Sequence, residues 1–294
     1  MKKITRKEAL SKISLSSALL AIPLGTDAAV EKALQPLQAS LKGNINHSVC
    51  KWCYPDIALE ALCEAGKGMG LKSVELLEPE QWPIVAKYGL TCAMANGSPL
   101  GINDGFNNPD HHKELQRDYF ERLPVAAEYG IKNMICFSGV RNGIDRQEGL
   151  ENCARGLEPV VKEAAKYGIT IAMELLNSKV DHTDYQCDRT AWGVELVEKI
   201  GDDSFKLLYD IYHMQVMEGD IISTIKEYHS YFSHYHTGGV PGRAEINQSQ
   251  ELYYPAIMKA INETGFKGFV AQEFIPKGPE PLKSLEKGVL TCDV

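Results

Sequence analysis

Apolar positions at helical spacing, a glycine, then a continuous apolar run: this pattern recurs along the chain. It is seen in "AKYGLT" (86–91), "AEYGIK" (127–132) and "AKYGIT" (165–170), with "ETGFKG" (263–268) as a variant. Glycine just past a helix end takes the left-handed conformation that stops the helix. The apolar run that follows suits a strand buried on both faces. Helix, glycine and strand in repetition predict a parallel sheet with helical crossovers. Strands are expected near 45–50, 72–77, 90–96, 131–138, 169–177, 205–210, 232–238 and 268–274. The clearest helical patterns are "DIALEALCEAGKGMG" and "GLENCARGLEPVVKEAAKYG". Eight strand–helix units in about 250 residues predict an α/β fold, a single closed (β/α)8 TIM barrel. An open doubly wound sheet would need a glycine-rich turn after its first strand, and "CKWCYPD" is not one.

Composition narrows the function. The chain has 294 residues, 44% hydrophobic and 24% charged, with a formal net charge of −8. That is an ordinary globular balance. An acidic chain gains nothing from counterion release, which disfavours a nucleic-acid partner. No apolar run is long enough to span a bilayer. Residues 1–40 read as an export signal and linker, and 41–294 as the barrel. Lys2, Lys3, Arg6 and Lys7 precede a short apolar run from Ile13 to Leu24. "TRKEALSK" resembles a twin-arginine signal with Lys7 in place of the second arginine, which makes a periplasmic location the expectation. An amphipathic N-terminal helix, with a cytoplasmic location, is the alternative. The eight cysteines form no disulfide framework, and Cys50 and Cys53 in "CKWC" read as packed thiols rather than a redox pair.

In a β/α barrel the C-terminal ends of the strands face the active site. Strands five to eight end in Glu174, Asp210, His236 and Glu273. Three carboxylates crowded together repel unless a divalent cation sits among them. These four residues are therefore the candidate metal ligands. Oxygen donors with one imidazole favour Mn²⁺ or Mg²⁺ and allow Co²⁺ or Zn²⁺. His213 follows Asp210 by three residues and is expected in the same mouth, while His234 is expected one layer deeper. The loop "GGVPGR" carries Arg243 over the mouth, where a guanidinium suits paired oxygens. Glu251 is expected to brace Arg243 or the substrate, and Trp52 and Phe137 to supply apolar walls. His47 and His182 are weaker candidates near the mouth.

With "GGVPGR" followed by "ELYYPAIMKAINETGFKGFVAQEFIP", and with "MELLN" and "YDIYHMQ", the chain resembles the hydroxypyruvate isomerase family of the xylose-isomerase-like barrels. The resemblance implies one divalent metal held by Glu174, Asp210, His236 and Glu273, with His213 and Arg243 binding substrate. It implies an isomerase of a small α-hydroxy carbonyl compound, hydroxypyruvate to tartronate semialdehyde, with Glu174 and Glu273 moving the proton. His236 stands where glutamine is common in that family, as in related ketose epimerases, and Ala244 where a histidine commonly follows the arginine. A sugar epimerase and a non-catalytic sugar-binding barrel are the alternatives. A superfamily nuclease with three zinc ions would need an Asp-x-His after strand seven, where this chain reads "GRAEINQSQ". The expected partner is a small-molecule substrate, and barrels of this kind often form homo-oligomers.

Overall fold

The computed structural model describes residues 41–294. The export signal expected over 1–40 lies outside the described residues. Seven parallel strands form one sheet in the order β2-β1-β7-β6-β5-β4-β3. They are β1 (Asn46–Cys50), β2 (Ser73–Glu75), β3 (Asn133–Cys136), β4 (Thr170–Glu174), β5 (Phe205–Asp210), β6 (Phe232–Thr237) and β7 (Phe269–Gln272). Nine helices surround them: α1 (Leu59–Gly68), α2 (Trp82–Lys87), α3 (His112–Glu128), α4 (Arg146–Tyr167), α5 (Thr190–Ile200), α6 (Ile211–Met217), α7 (Ile221–Tyr228), α8 (Tyr254–Glu263) and α9 (Pro281–Cys292) among the described residues.

The ring closes between β2 and β3 through the segment expected as the third strand. That segment is not a regular strand. It makes parallel bridges Ser73↔Thr91, Leu77↔Ala95 and Ala95↔Met134. Two local features break its ladder. The Ser73 hydroxyl takes the Ala93 amide at 2.8 Å, and Leu76 turns to a φ of 56°. Backbone bonds resume at Met94, which accepts from Leu76 at 2.8 Å, and at Ala95, which donates to Asn133 at 3.0 Å and accepts from Ile135 at 2.9 Å.

Helix ends follow the glycine punctuation. Gly89, Gly130, Gly168 and Gly265 all have positive φ, and α4 ends on Gly168 at φ 63° and ψ 37°. Strand residues alternate between two apolar environments. Val74, Met173, Leu207, Tyr209 and Tyr235 pack outward among the helices in the large buried cluster. Met94, Ile135, Ala172 and Leu208 form a separate cluster inside the barrel. The same inward parity carries Glu75, Glu174, Asp210, His234 and His236, all buried. All eight cysteines are free and buried. Burial pushes the Cys50 and Cys53 thiols well above their ordinary range, as packed thiols require.

Gly97 lets the chain leave the irregular segment across the Tyr119 hydroxyl, which donates to the Ile135 carbonyl at 2.6 Å. A Cβ at Gly97 would collide with both of those oxygen atoms. Gly97→Ala is expected to lower stability by about 1–3 kcal/mol. Denaturant unfolding checks this; an unchanged midpoint would mean that the segment relaxes freely.

Candidate active site

The mouth at the C-terminal ends of the strands opens into a cavity of about 380 Å³, lined among others by Trp52, Phe137, Glu174, His182, Arg243 and Glu273. That volume suits a small organic molecule. Glu174, Asp210, His236 and Glu273 come together beneath it. Each offers a ligand atom, and these atoms lie within 4.8 Å of one another, all on buried residues. His236 Nδ1 stands 2.7 Å from Glu273 Oε2 and 3.2 Å from Glu174 Oε1.

Arg243 enters this cluster from the loop after β6. Its Nη2 donates to Asp210 Oδ2 at 2.9 Å and also to Glu273 Oε2. The backbone of Arg243 is held in the left-handed region, at φ 53°. For a non-glycine residue this conformation persists only where neighbours enforce it. Here the Arg243 carbonyl accepts from Ile275 N at 2.7 Å, and Nε donates to the Glu273 carbonyl at 3.1 Å. The guanidinium lies 5.3 Å from the Trp52 ring and 5.4 Å from the Tyr212 ring, within cation–π range. Trp52 is more than an apolar wall: its indole N–H donates to Glu273 Oε1 at 2.7 Å.

Burial governs the charges. It raises Glu174, and it raises Asp210 to about 8 against the pull of Arg243. Burial works the same way on Glu273, but Arg243 and His236 outweigh it and hold that carboxyl well below its ordinary range. His236 is pushed down by burial and up by Glu273 and its other neighbours. The upward pull wins, so this imidazole keeps its proton well above 6.5. Three carboxylates around one arginine and one imidazole form an acidic, cation-seeking cluster.

His213 caps the base of this group from α6. Its own N–H satisfies Asp210 Oδ1 at 2.9 Å, so Asp210 is both strand end and helix cap. Donors approach both ring nitrogens. The Asn177 backbone N–H points at Nδ1 from 3.2 Å, and Arg243 Nη1 stands 2.7 Å from Nε2. A neutral imidazole has one lone pair. The Asn177 amide is fixed in place, so Nδ1 accepts and Nε2 carries the hydrogen. Nε2–H and Arg243 then meet donor to donor. Arg243 is therefore held by the carboxylates, not by His213. Burial lowers His213 well below 6.5, which keeps the ring neutral.

Several expected residues fall elsewhere. Glu251 is exposed, and its carboxylate accepts from Gln215 at 3.1 Å. Its carboxylate makes no contact with Arg243, although its backbone N–H donates to the Val240 carbonyl of the same loop at 2.9 Å. His47 sits early in β1, with Nε2 3.8 Å from Asp293 near the C-terminus, far from the mouth. His182 does reach the cavity and packs against His213 with ring centroids 5.2 Å apart. His234 is buried one layer down, as expected. Glu75 was not among the expected site residues, yet its Oε1 contacts His236 Nε2 at 2.9 Å and His234 Nε2 at 2.7 Å. Burial opposes its charge, but the two imidazoles prevail and hold it at about 2. Glu75 ends β2 on the inward parity, the same signal that marks Glu174.

Comparison with known proteins agrees with this architecture. The profile of the xylose isomerase-like TIM barrel family matches residues 81–289. A human protein named "Putative hydroxypyruvate isomerase" is 30% identical over 243 residues, covering 77% of this chain and 88% of the relative. The 2-oxo-tetronate isomerase of Haemophilus influenzae is 26% identical over 226 residues, covering 73% and 87%. Among solved structures, an AP endonuclease, family 2, from Brucella melitensis superposes with a TM-score of 0.74 at 22% identity, covering 83% of this chain and 97% of that one. The barrel, its inward-facing strand ends and these matches lead to one conclusion: the chain belongs to the xylose isomerase-like TIM barrel family.

Proposed function

We propose that this isomerase acts on a small α-hydroxy carbonyl compound by proton transfer through an enediolate, with hydroxypyruvate and tartronate semialdehyde as the best pair. The observation that carries this reading is the pair Glu174 and Glu273, two carboxylates that line one small cavity and share a buried four-residue donor set. Three carboxylates and an imidazole nitrogen fit a single divalent cation, Mn²⁺ or Mg²⁺ by their hardness, with Co²⁺ or Zn²⁺ allowed. Glu174, Asp210, His236 and Glu273 would hold it. Such a cation supplies electrostatic stabilisation of negative charge developing on the two substrate oxygens.

The remaining work falls to the chain. One glutamate takes the proton from the carbon beside the carbonyl. Two electrons move into a carbon–carbon double bond, and the carbonyl oxygen becomes the second enediolate oxygen. Return of that proton to the former carbonyl carbon, with the hydroxyl proton passing to the former carbonyl oxygen, completes an aldose–ketose isomerisation. Arg243 and the Nε2–H of His213 are donors placed to hold substrate oxygens. The indole N–H of Trp52 restrains Glu273 from outside. A positioned base contributes about 10²–10⁴-fold, so the electrostatic part is needed as well.

A second reading is supported by one observation. A cleft of about 820 Å³ shares Ile102 and His182 with the reaction cavity. It would accommodate a longer polyhydroxylated substrate, as an isomerase or epimerase of free sugars requires.

Three experiments test these readings. In D₂O with Mn²⁺, hydroxypyruvate is expected to gain carbon-bound deuterium by NMR, and Glu174→Gln or chelation to remove at least about 10²-fold of the exchange rate. Exchange confined to a panel of free ketoses would move the substrate to the second reading. No exchange in any compound, with cation bound, would sink the proton-transfer mechanism. Next, cation binding must expel the protons that Asp210 and His236 hold in the free protein. Those protons favour the free state, so apparent affinity is expected to rise with pH up to about 8, by roughly tenfold per pH unit for each proton released. Calorimetry in buffers of different ionisation enthalpy at pH 7 measures the release, and a value near zero contradicts it. Finally, Arg243 competes for two of the proposed ligands. Arg243→Gln is expected to raise KM by about tenfold or more while leaving Mn²⁺ affinity no weaker than in the unaltered protein. A parallel loss of Mn²⁺ binding would show that Arg243 supports the cation site instead.

A further inference from the structure

The mechanism above leaves one buried carboxylate without a task. Glu75 ends β2 with no exposure to solvent and lies behind the candidate cation ligands, away from the cavity lining. Its Oε1 contacts the Nε2 atoms of His234 and His236 at 2.7 and 2.9 Å, and its Oε2 has no hydrogen-bond partner. A carboxylate only accepts, so each imidazole nitrogen facing it carries the hydrogen. The other neighbour at His236 Nε2 is the Cys50 thiol at 3.8 Å, a weak partner.

This geometry decides which nitrogen of His236 faces the carboxylate cluster. With hydrogen on Nε2, the lone pair available to a cation belongs to Nδ1. Nδ1 is the atom that faces Glu174 and Glu273. His234 grips the same Glu75 oxygen from the layer below, so the carboxylate is anchored independently of His236. Glu75 itself is a poor ligand here: Glu75, His234 and His236 also cluster tightly, but their facing atoms already bond to one another.

We propose that Glu75 is a positioning residue, which keeps the hydrogen of His236 on Nε2 and holds the ring so that Nδ1 points at Glu174 and Glu273. The proposal rests on the reading of Glu174, Asp210, His236 and Glu273 as a cation site. Carboxylates that orient a ligating imidazole in this way also raise its basicity, and losing them typically costs about 10–100-fold in metal affinity.

The test uses the purified protein with Mn²⁺ titrated by electron paramagnetic resonance and Co²⁺ by its visible absorption. Glu75→Ala is expected to weaken Mn²⁺ binding by about 10–100-fold and to alter the Co²⁺ spectrum. Glu75→Gln keeps an oxygen for both N–H groups and is expected to recover most of the loss. Unchanged affinity and spectrum in a folded Glu75→Ala protein overturn the proposal. Asp210→Asn tests the underlying reading separately: if it binds Mn²⁺ normally, the cation site and the proposal both fail. If it loses Mn²⁺ while Glu75→Ala does not, only the proposal fails. Two Mn²⁺ per chain, one of them lost in His234→Gln, would make Glu75 a ligand and also overturn it. Should Glu75→Ala not fold, ¹⁵N-histidine NMR of the Zn²⁺-loaded protein decides directly. His236 protonated on Nε2 and ligated through Nδ1 supports the proposal, and the opposite tautomer refutes it.

Discussion

Negative charge crowded into a dry space is the constraint on which this molecule turns. Glu174, Asp210 and Glu273 lie within ligand distance of one another on buried positions. Carboxylates in that arrangement need positive charge, a shared proton or a cation. The surrounding architecture answers each need at once. Arg243 is driven into a left-handed backbone conformation and places its guanidinium between Asp210 and Glu273. Trp52 and Tyr212 cover that guanidinium with their rings. His236 keeps its proton against burial, and Asp210 is pushed toward neutrality. The barrel supplies the rigid frame that makes the crowding affordable, because each acid stands at or directly after the end of a strand whose backbone is locked in the ladder.

The pull toward positive charge also explains why His213 and Arg243 meet donor to donor. Neither group is there for the other. His213 is fixed by its helix and by the Asn177 amide, and Arg243 goes where the carboxylates attract it. An energetically awkward contact of this kind is tolerated where function gains from it. On the proposed mechanism, a cation that neutralised the carboxylates would release the arginine from them and leave both donors to the substrate. Of the two, only Arg243 serves as counter-charge, because burial keeps the His213 ring neutral.

Much of this was legible in the residues, and the boundary of what was legible has physical causes. Glycine after a helix and an apolar run after the glycine locate the strands, since both signals reflect local backbone and burial demands. Strand parity then places Glu174, Asp210 and His236 inward, with Glu273 directly after β7 at the same rim. The third strand reads as regular in sequence but is not, because the Ser73 hydroxyl takes the Ala93 amide out of the ladder and Leu76 turns to a positive φ. Those are tertiary events with no periodic trace. The missing Glu251–Arg243 contact has a related cause: the carboxylate meets Gln215 instead, a tertiary partner that distance along the chain does not reveal. Glu75 is the instructive omission. It obeys the same strand-end rule as the other acids, but "KSVELL" presents it as one polar residue in a buried run, and its partners lie about 160 positions away at His234 and His236.

That separation bears on what distinguishes members of such a fold. The cluster beneath the cavity is built almost wholly from strand ends, whose geometry is shared by any barrel of this construction. The residues above it, Ile102, His182 and Arg243, come from loops. On the proposed mechanism, moving a proton between adjacent carbons would need only the lower layer, with Glu174 and Glu273 as the bases. Which carbon receives the proton, and how long a chain extends away from it, would then be set by the upper layer. A three-carbon acid would occupy the smaller cavity alone, with Arg243 and His213 as its natural partners. A longer polyol would have to continue past His182 into the adjoining cleft. On the proposed mechanism, the lower layer would therefore specify the reaction class, and the loops that frame His182 and Ile102 would specify the substrate.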